Sequence, residues 1–339
     1  MDSAHDQHDG RAGSLITQAL GDALGFLVEG HAPEICAAYA DKAFAGTDPP
    51  EFRRAGFSFG QYSDDTQLAR ELALSLGGTS DGRFAPRDFA ARVGKLFADE
   101  TIVGRGRATE AAARRIIAGI PWDRAGEPAP SAGNGAAMRA GPVGFLRVGH
   151  NEAIRIADDS ARVTHLDMRS RAAAVLVALV VRDAIRNGPA RCTVTWCEHL
   201  ARAVEPQDPD LAIGVSKMPG WLKADPVRVA DEIAHCGTAP RGSAHQFERW
   251  HGISPFATPS ALYALFAYLR APADPEEVLR AAVAVGGDVD TVAAMAGAMV
   301  GAAVGLSGLT PRLLRWAQHL NDQGAFGFDD LVGIARAVQ

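Results

Sequence analysis

Gly286-Gly287-Asp288-Val289-Asp290-Thr291 runs without a break into Val292-Ala293-Ala294-Met295-Ala296-Gly297-Ala298-Met299-Val300-Gly301-Ala302-Ala303. The second half has helical composition with small residues on every face. A helix of that kind is stable only when it is buried and packed closely on its neighbours. Its N-terminus is then buried as well, and it carries two aspartates where unpaired carboxylates are costly. They need a counter-charge, and hard oxygen ligands gathered within one turn of chain suit Mg²⁺ or Mn²⁺.

Far upstream, Ser63-Asp64-Asp65-Thr66 repeats the pattern. Leu68, Leu72 and Leu76 follow at every fourth position, with Ala69 and Ala73 widening the stripe, so this motif also opens a helix. Alone, it reads as a helix start, with Ser63 as N-cap and two carboxylates favoured by the macrodipole. If both acidic motifs serve one site, the chain between them is one domain.

Helical periodicity extends almost everywhere. The spacing predicts helices over 14–27, 86–98, 109–117, 152–163, 168–185, 229–234, 259–269, 275–285, 292–304, 311–320 and 329–338. Pro86, Pro259, Pro275 and Pro311 each stand where a first turn needs no N–H donor. No sustained alternation of β-branched and polar residues occurs, so the fold class is all-α. Stretches 30–58, 122–131, 205–224 and 237–254 have linker-like composition but do not divide the chain. Residues 1–12 are polar, with no basic segment leading into an apolar one, and read as a disordered leader to a domain spanning 13–339.

Composition narrows the function. The 339 residues are 47% hydrophobic with a formal net charge of −6, and arginines are scattered rather than massed, which argues against a nucleic-acid backbone as ligand. Cys36, Cys192, Cys197 and His199 form no zinc-ligand spacing, and with Cys236 the thiols read as free in a reducing cytoplasm. The apolar run 172–181 is too short to span a bilayer. Short loops and no obvious apolar patch make a monomer the expectation.

Two further stretches carry chemistry. In Gly21-Asp22-Ala23-Leu24-Gly25-Phe26-Leu27-Val28-Glu29, the glycines allow close helix approach, and Asp22 reads as a structural hydrogen-bonding residue. Glu29 ends a helix, where the dipole disfavours it; it is either solvated or a catalytic group held against local preference. Ser131-Ala132-Gly133-Asn134-Gly135-Ala136-Ala137-Met138-Arg139 is either a turn or a loop whose N–H groups face an anion.

These pieces, in their order along the chain and with Thr164-His165, resemble the ADP-ribosylglycohydrolase family, over roughly residues 14 to 305. The resemblance implies a single-domain orthogonal helical bundle with a cleft holding two Mg²⁺, or Mn²⁺, and activity on an ADP-ribosylated protein or other ADP-ribose conjugate. It implies Ser63, Asp64, Asp65, Asp288, Asp290 and Thr291 as metal ligands and Glu29 as the acid–base carboxylate. Ser131, Gly133, Asn134 and Gly135 match its diphosphate loop, and His165 and Gly106 its ligand contacts; without the family, His165 reads as a structural histidine. Ser63 stands where many members carry Thr, and Val289 where Thr is usual. Gly104-Arg105-Gly106 follows the family's glycine-rich turn only loosely, which leaves Arg105 or Arg107 to meet a phosphate.

Three rival readings remain. An isoprenoid synthase would need another aspartate where Leu68 stands, and a haloacid-dehalogenase-type phosphatase would place Asp288-Val289-Asp290 after a strand near the chain start. A non-catalytic ADP-ribose-binding or toxin-immunity module of the same fold is the third, and retention of Glu29 and all six ligands argues for activity.

Overall fold

The computed structural model describes residues 7–51, 53–54, 56–78, 84–237 and 250–338. Helices build nearly all of it. The strands among the described residues form one two-stranded ribbon, Arg53–Arg54 antiparallel to Phe57–Ser58.

The fold is organised on two antiparallel helices, Gln7–Phe26 and Val289–Val304. Glycines remove the side chains that would hold them apart. A Cβ on Gly301 would come within 2.2 Å of the Gly13 carbonyl oxygen, and one on Gly21 within 2.2 Å of the Ala293 carbonyl oxygen. Backbone therefore meets backbone along both helices, and every residue from Val289 to Ala303 is buried, as the small-residue pattern predicts. The antiparallel sense brings the start of the later helix, at Asp290, against the end of the earlier one, at Gly25.

The first helix begins at Gln7, six residues inside the stretch expected to be a leader. Asp9 accepts the Ser307 hydroxyl at 2.6 Å and the buried Arg11 guanidinium donates to the Val338 carbonyl, so distant partners order residues whose local composition is polar. Residues 1–6 lie outside the described set. Among the described residues three α-helices longer than a single turn were not read from the spacing, Pro33–Ala45, Val194–Val204 and Pro209–Trp221, nor was the single turn Trp122–Ala125. The first and third sit in stretches of linker-like composition. Tertiary burial overrides the turn formers there: Leu211, Val215 and Met218 are buried although Pro219 and Gly220 lie in the same helix, and Asp208 caps it by accepting the Leu211 N–H at 3.1 Å. Most of the 237–254 stretch lies outside the described residues. Among the described residues no helix is long and apolar enough to cross a membrane.

Candidate functional site

Asp22, wholly buried in the first helix, organises the upstream motif. Its carboxylate accepts the Ser63 N–H at 2.9 Å, the Thr66 N–H at 3.0 Å and the Thr66 hydroxyl at 2.6 Å. A carboxylate from another element thus caps the helix Asp64–Gly77, alongside the Ser63 hydroxyl, which accepts the Asp65 N–H. Asp64 and Asp65 are left with little capping work, although both are buried. Thr291 donates its hydroxyl to Asp65 Oδ2 at 3.4 Å and so joins the two acidic motifs, while Asp65 Oδ1 is buried with no partner.

The downstream motif is set by two left-handed glycines, Gly286 at φ 78° and Gly287 at φ 84°. The turn laces the chain after Glu29 to the chain before Asp288: Gly30 N–H donates to Gly287 O at 2.8 Å, and Gly287 N–H to His31 O at 2.9 Å. Consequently Glu29, Asp288 and Asp290 converge, each offering a carboxylate oxygen within 4.8 Å of the others. Arg54, from the ribbon, donates to Glu29 at 2.6 Å and to the Phe26 carbonyl at 2.7 Å.

This concentration of acid is electrostatically strained. Burial pushes Asp288 up to about 7, with Glu29 adding to the rise. Burial together with Asp22 and Glu29 holds Asp64 well above the usual carboxylate range, and burial with Glu29 and Asp288 does the same for Asp290. Asp65 is raised in the same sense, by burial and then by Asp22 and Asp64. Buried hard-oxygen donors that repel one another, one of them with an orphaned oxygen, are a donor set that fits a divalent cation. The described residues contain no comparable Cys/His cluster. All four thiols are free, and the Cys192 and Cys197 sulfurs lie 3.5 Å apart, remote in role from the acidic site.

The acids lie in a cleft of about 1120 Å³ whose other wall is the glycine loop, with Arg105, Gly106, Arg107, His165 and Trp250 also lining it. The loop residues differ in what they present. Asn134 donates its side-chain amide to Asp288 and, at 3.0 Å, to Ser260, while its N–H goes to the Pro255 carbonyl at 3.0 Å. It therefore braces an acidic ligand candidate rather than opening its own N–H to the cleft. The Ser131 N–H is engaged by Asp167 at 3.2 Å. The N–H groups of Gly133 and Gly135 make no hydrogen bond among the described residues. Gly106 turns its N–H to Asp64, and a Cβ on Gly104 would come within 3.1 Å of the Asp64 carboxylate. His165 is buried at the back of the loop, with Nδ1 2.8 Å from the Thr164 hydroxyl.

All thirteen expected site residues are near this cleft or brace it. Sequence reading missed Arg54, which sits in a stretch without periodicity, and Trp250, an isolated aromatic. It also gave no sign that Gln18 spans the site, donating to the Asp65 carbonyl at 3.2 Å and to the Met138 carbonyl at 3.0 Å; a lone glutamine among helix-forming residues carries no such signal.

Comparison with known proteins agrees with this architecture. The family model described as ADP-ribosylglycohydrolase matches residues 3–339. An uncharacterized protein of Archaeoglobus fulgidus is 31% identical over 292 residues, covering 85% of each chain. The ADP-ribosylhydrolase ARH3 of Gallus gallus is 27% identical over 330 residues, covering 88% of this chain and 86% of its own. A solved structure titled "ADP-ribosylglycohydrolase-related protein complex" superimposes with a TM-score of 0.67 at 29% identity, covering 98% of each chain.

Proposed function

The chain belongs to the ADP-ribosylglycohydrolase family, and on that premise we propose that it is a metal-dependent hydrolase that releases ADP-ribose from a modified protein side chain or related conjugate by cleaving the bond at the ribose anomeric carbon. One observation carries the reading: the convergence of Glu29, Asp288 and Asp290 within 4.8 Å, opposite a loop with free N–H groups.

Cleavage at the anomeric carbon passes through an oxocarbenium-like state and needs a proton for the leaving group, an activated water and fixed ribose hydroxyls. Two Mg²⁺ or Mn²⁺ ions held by Ser63, Asp64, Asp65, Asp288, Asp290 and Thr291 would supply orientation of the ribose hydroxyls and a water of lowered pKa. Glu29 gives and takes the proton at the scissile bond, and Arg54 holds its carboxylate in place. The Gly133 and Gly135 N–H groups receive the diphosphate from the opposite wall, with Arg105 and Arg107 at the rim available to a phosphate. Asp22 and Asn134 do no chemistry; they orient Ser63-Asp64-Asp65-Thr66 and Asp288 respectively.

The test is incubation of the purified protein with Mg²⁺ and peptides ADP-ribosylated on Arg or on Ser, repeated with EDTA and with Asp64→Asn and Asp290→Asn. Free ADP-ribose that appears with Mg²⁺ and stops with chelator supports the proposal, and the leaving group that is accepted names the linkage. Release unaffected by chelator would remove the metal from the reading. Tight ADP-ribose binding without turnover of any linkage would instead favour a binding module of the same fold.

A further inference from the structure

Behind the cleft, two side chains, Arg139 and Thr164, are linked in series to the ring of His165. Arg139 is wholly buried and donates to the Gly135 carbonyl at 2.7 Å, the Ser160 carbonyl at 3.1 Å and the Thr164 hydroxyl oxygen at 2.6 Å. Thr164, also wholly buried, meets His165 Nδ1 at 2.8 Å. A guanidinium offers only donors. The Thr164 oxygen is therefore an acceptor toward Arg139, and its single proton is free for His165. Were Nδ1 protonated instead, two donors would converge on one hydroxyl and the Thr164 proton would be stranded in the interior, an arrangement buried polar groups avoid.

We infer that Arg139 and Thr164 are positioning residues that fix His165 in the Nε2–H tautomer, so that the ring presents a neutral N–H donor to an anionic oxygen of the diphosphate class held against the Gly133-Asn134-Gly135 loop. The ring edge faces that loop: a Cβ on Gly133 would lie 3.5 Å from Nε2, and one on Gly135 would lie 3.4 Å from Nε2 and 2.9 Å from Cε1. Nε2 has no hydrogen-bond partner among the described residues, and His165 lines the cleft. Burial, reinforced by Arg139 and opposed by Asp167, pushes His165 down to about 3, so the ring stays neutral at physiological pH. Burial also lowers Arg139, to about 9, which leaves its charge intact there. A donor that is both neutral and locked in orientation recognises a phosphate oxygen by geometry rather than by its own charge. The donor's position is thus set one layer behind the Gly133-Asn134-Gly135 loop.

The ligand class rests on the functional reading above, whereas the tautomer does not. Nitrogen-15 NMR of histidine-labelled protein without ligand, with His165→Gln assigning the signal, is expected to place the proton on Nε2 throughout about pH 6 to 8. Thr164→Val is expected to mix the tautomers and weaken ADP-ribose binding by about tenfold in calorimetry, and Thr164→Ser to restore both. A proton on Nδ1 in the unaltered protein overturns the tautomer, and that spectrum decides the matter even if Thr164→Val fails to fold. Thr164→Val with unchanged tautomer and unchanged affinity overturns the positioning role. An Nε2–H ring in a protein that binds no ADP-ribose overturns the ligand assignment and the functional reading together, while leaving the tautomer standing.

Discussion

Gly30 donates its N–H to the Gly287 carbonyl at 2.8 Å, and with the return bond from Gly287 N–H to His31 O at 2.9 Å it clamps the chain after Glu29 to the turn before Asp288. Two carboxylates on different elements are held together by main chain, which does not depend on either side chain's charge. Repulsion between them is therefore borne by the backbone.

Gly287→Ala tests the clamp directly. Gly287 has φ 84°, and a Cβ there would come within 2.1 Å of the Ile253 carbonyl oxygen. The substitution is expected to destabilise the protein by about 2 kcal/mol or more and to abolish ADP-ribose release. Thermal unfolding together with a metal titration checks this, and full activity with an unshifted Tm would contradict it.

Asp290→Asn separates stability from function. In metal-free protein it removes one of several buried, mutually repelling carboxylates, so a Tm gain of about 1–2 °C is expected, equivalent to about 1 kcal/mol at this size. Metal binding by calorimetry should be lost in the same variant. A variant that is less stable when metal-free would show that the aspartate is already compensated.

The pH dependence of metal-free protein should run opposite to the usual acid denaturation. Asp288 is raised from 3.8 to about 7, so between these values the folded state holds a proton that the unfolded chain has lost. Stability is then greatest below the unfolded value and falls as pH rises through the folded one. Scanning calorimetry from about pH 5 to 8 in EDTA should show a declining Tm, and saturating Mg²⁺ should restore most at the alkaline end. A Tm that rises with pH in EDTA would mean that the acidic cluster does not govern this range.

Asp22→Ala would orphan three buried donors at once: the Ser63 and Thr66 N–H groups and the Thr66 hydroxyl. A loss of about 3 kcal/mol is expected in urea unfolding, with metal affinity lowered as the Asp64 helix start loosens. Unchanged metal affinity would show that Asp64 and Asp65 are held independently of Asp22.

Glu29→Gln keeps the shape of the acid–base residue and its contact to Arg54 while removing its proton chemistry. Turnover of an ADP-ribosylated peptide should fall by about 10² or more with ADP-ribose affinity retained. Loss of metal binding instead would assign Glu29 to the ligand set that its 4.8 Å grouping with Asp288 and Asp290 also permits.

Much of this architecture is legible in the residues. The helix Val289–Val304 carries small side chains on every face, which leaves it nowhere but the interior, and the aspartates at its start are buried with it. Gly21 and Gly25 likewise declare close approach before their partner is known, and the two reach Ala293 and Asp290 respectively. Pro33–Ala45 and Pro209–Trp221 were hidden because glycine and proline nearby imitate linkers, and only burial against distant helices decides between the two states.

What the sequence determined by itself is local: where most of the helices run, which helix is buried, and where carboxylates and hydroxyls cluster along the chain. These follow from periodicity, side-chain size and donor chemistry, all properties of neighbouring residues. The tertiary structure decided which atoms of those residues are free to act. Asn134 spends its amide on Asp288 and its N–H on Pro255, Asp22 takes over the capping of Asp64–Gly77, and Arg139 reaches His165 through Thr164. A hydrogen bond between residues far apart in the chain depends on where two backbones meet, and no local pattern encodes that meeting.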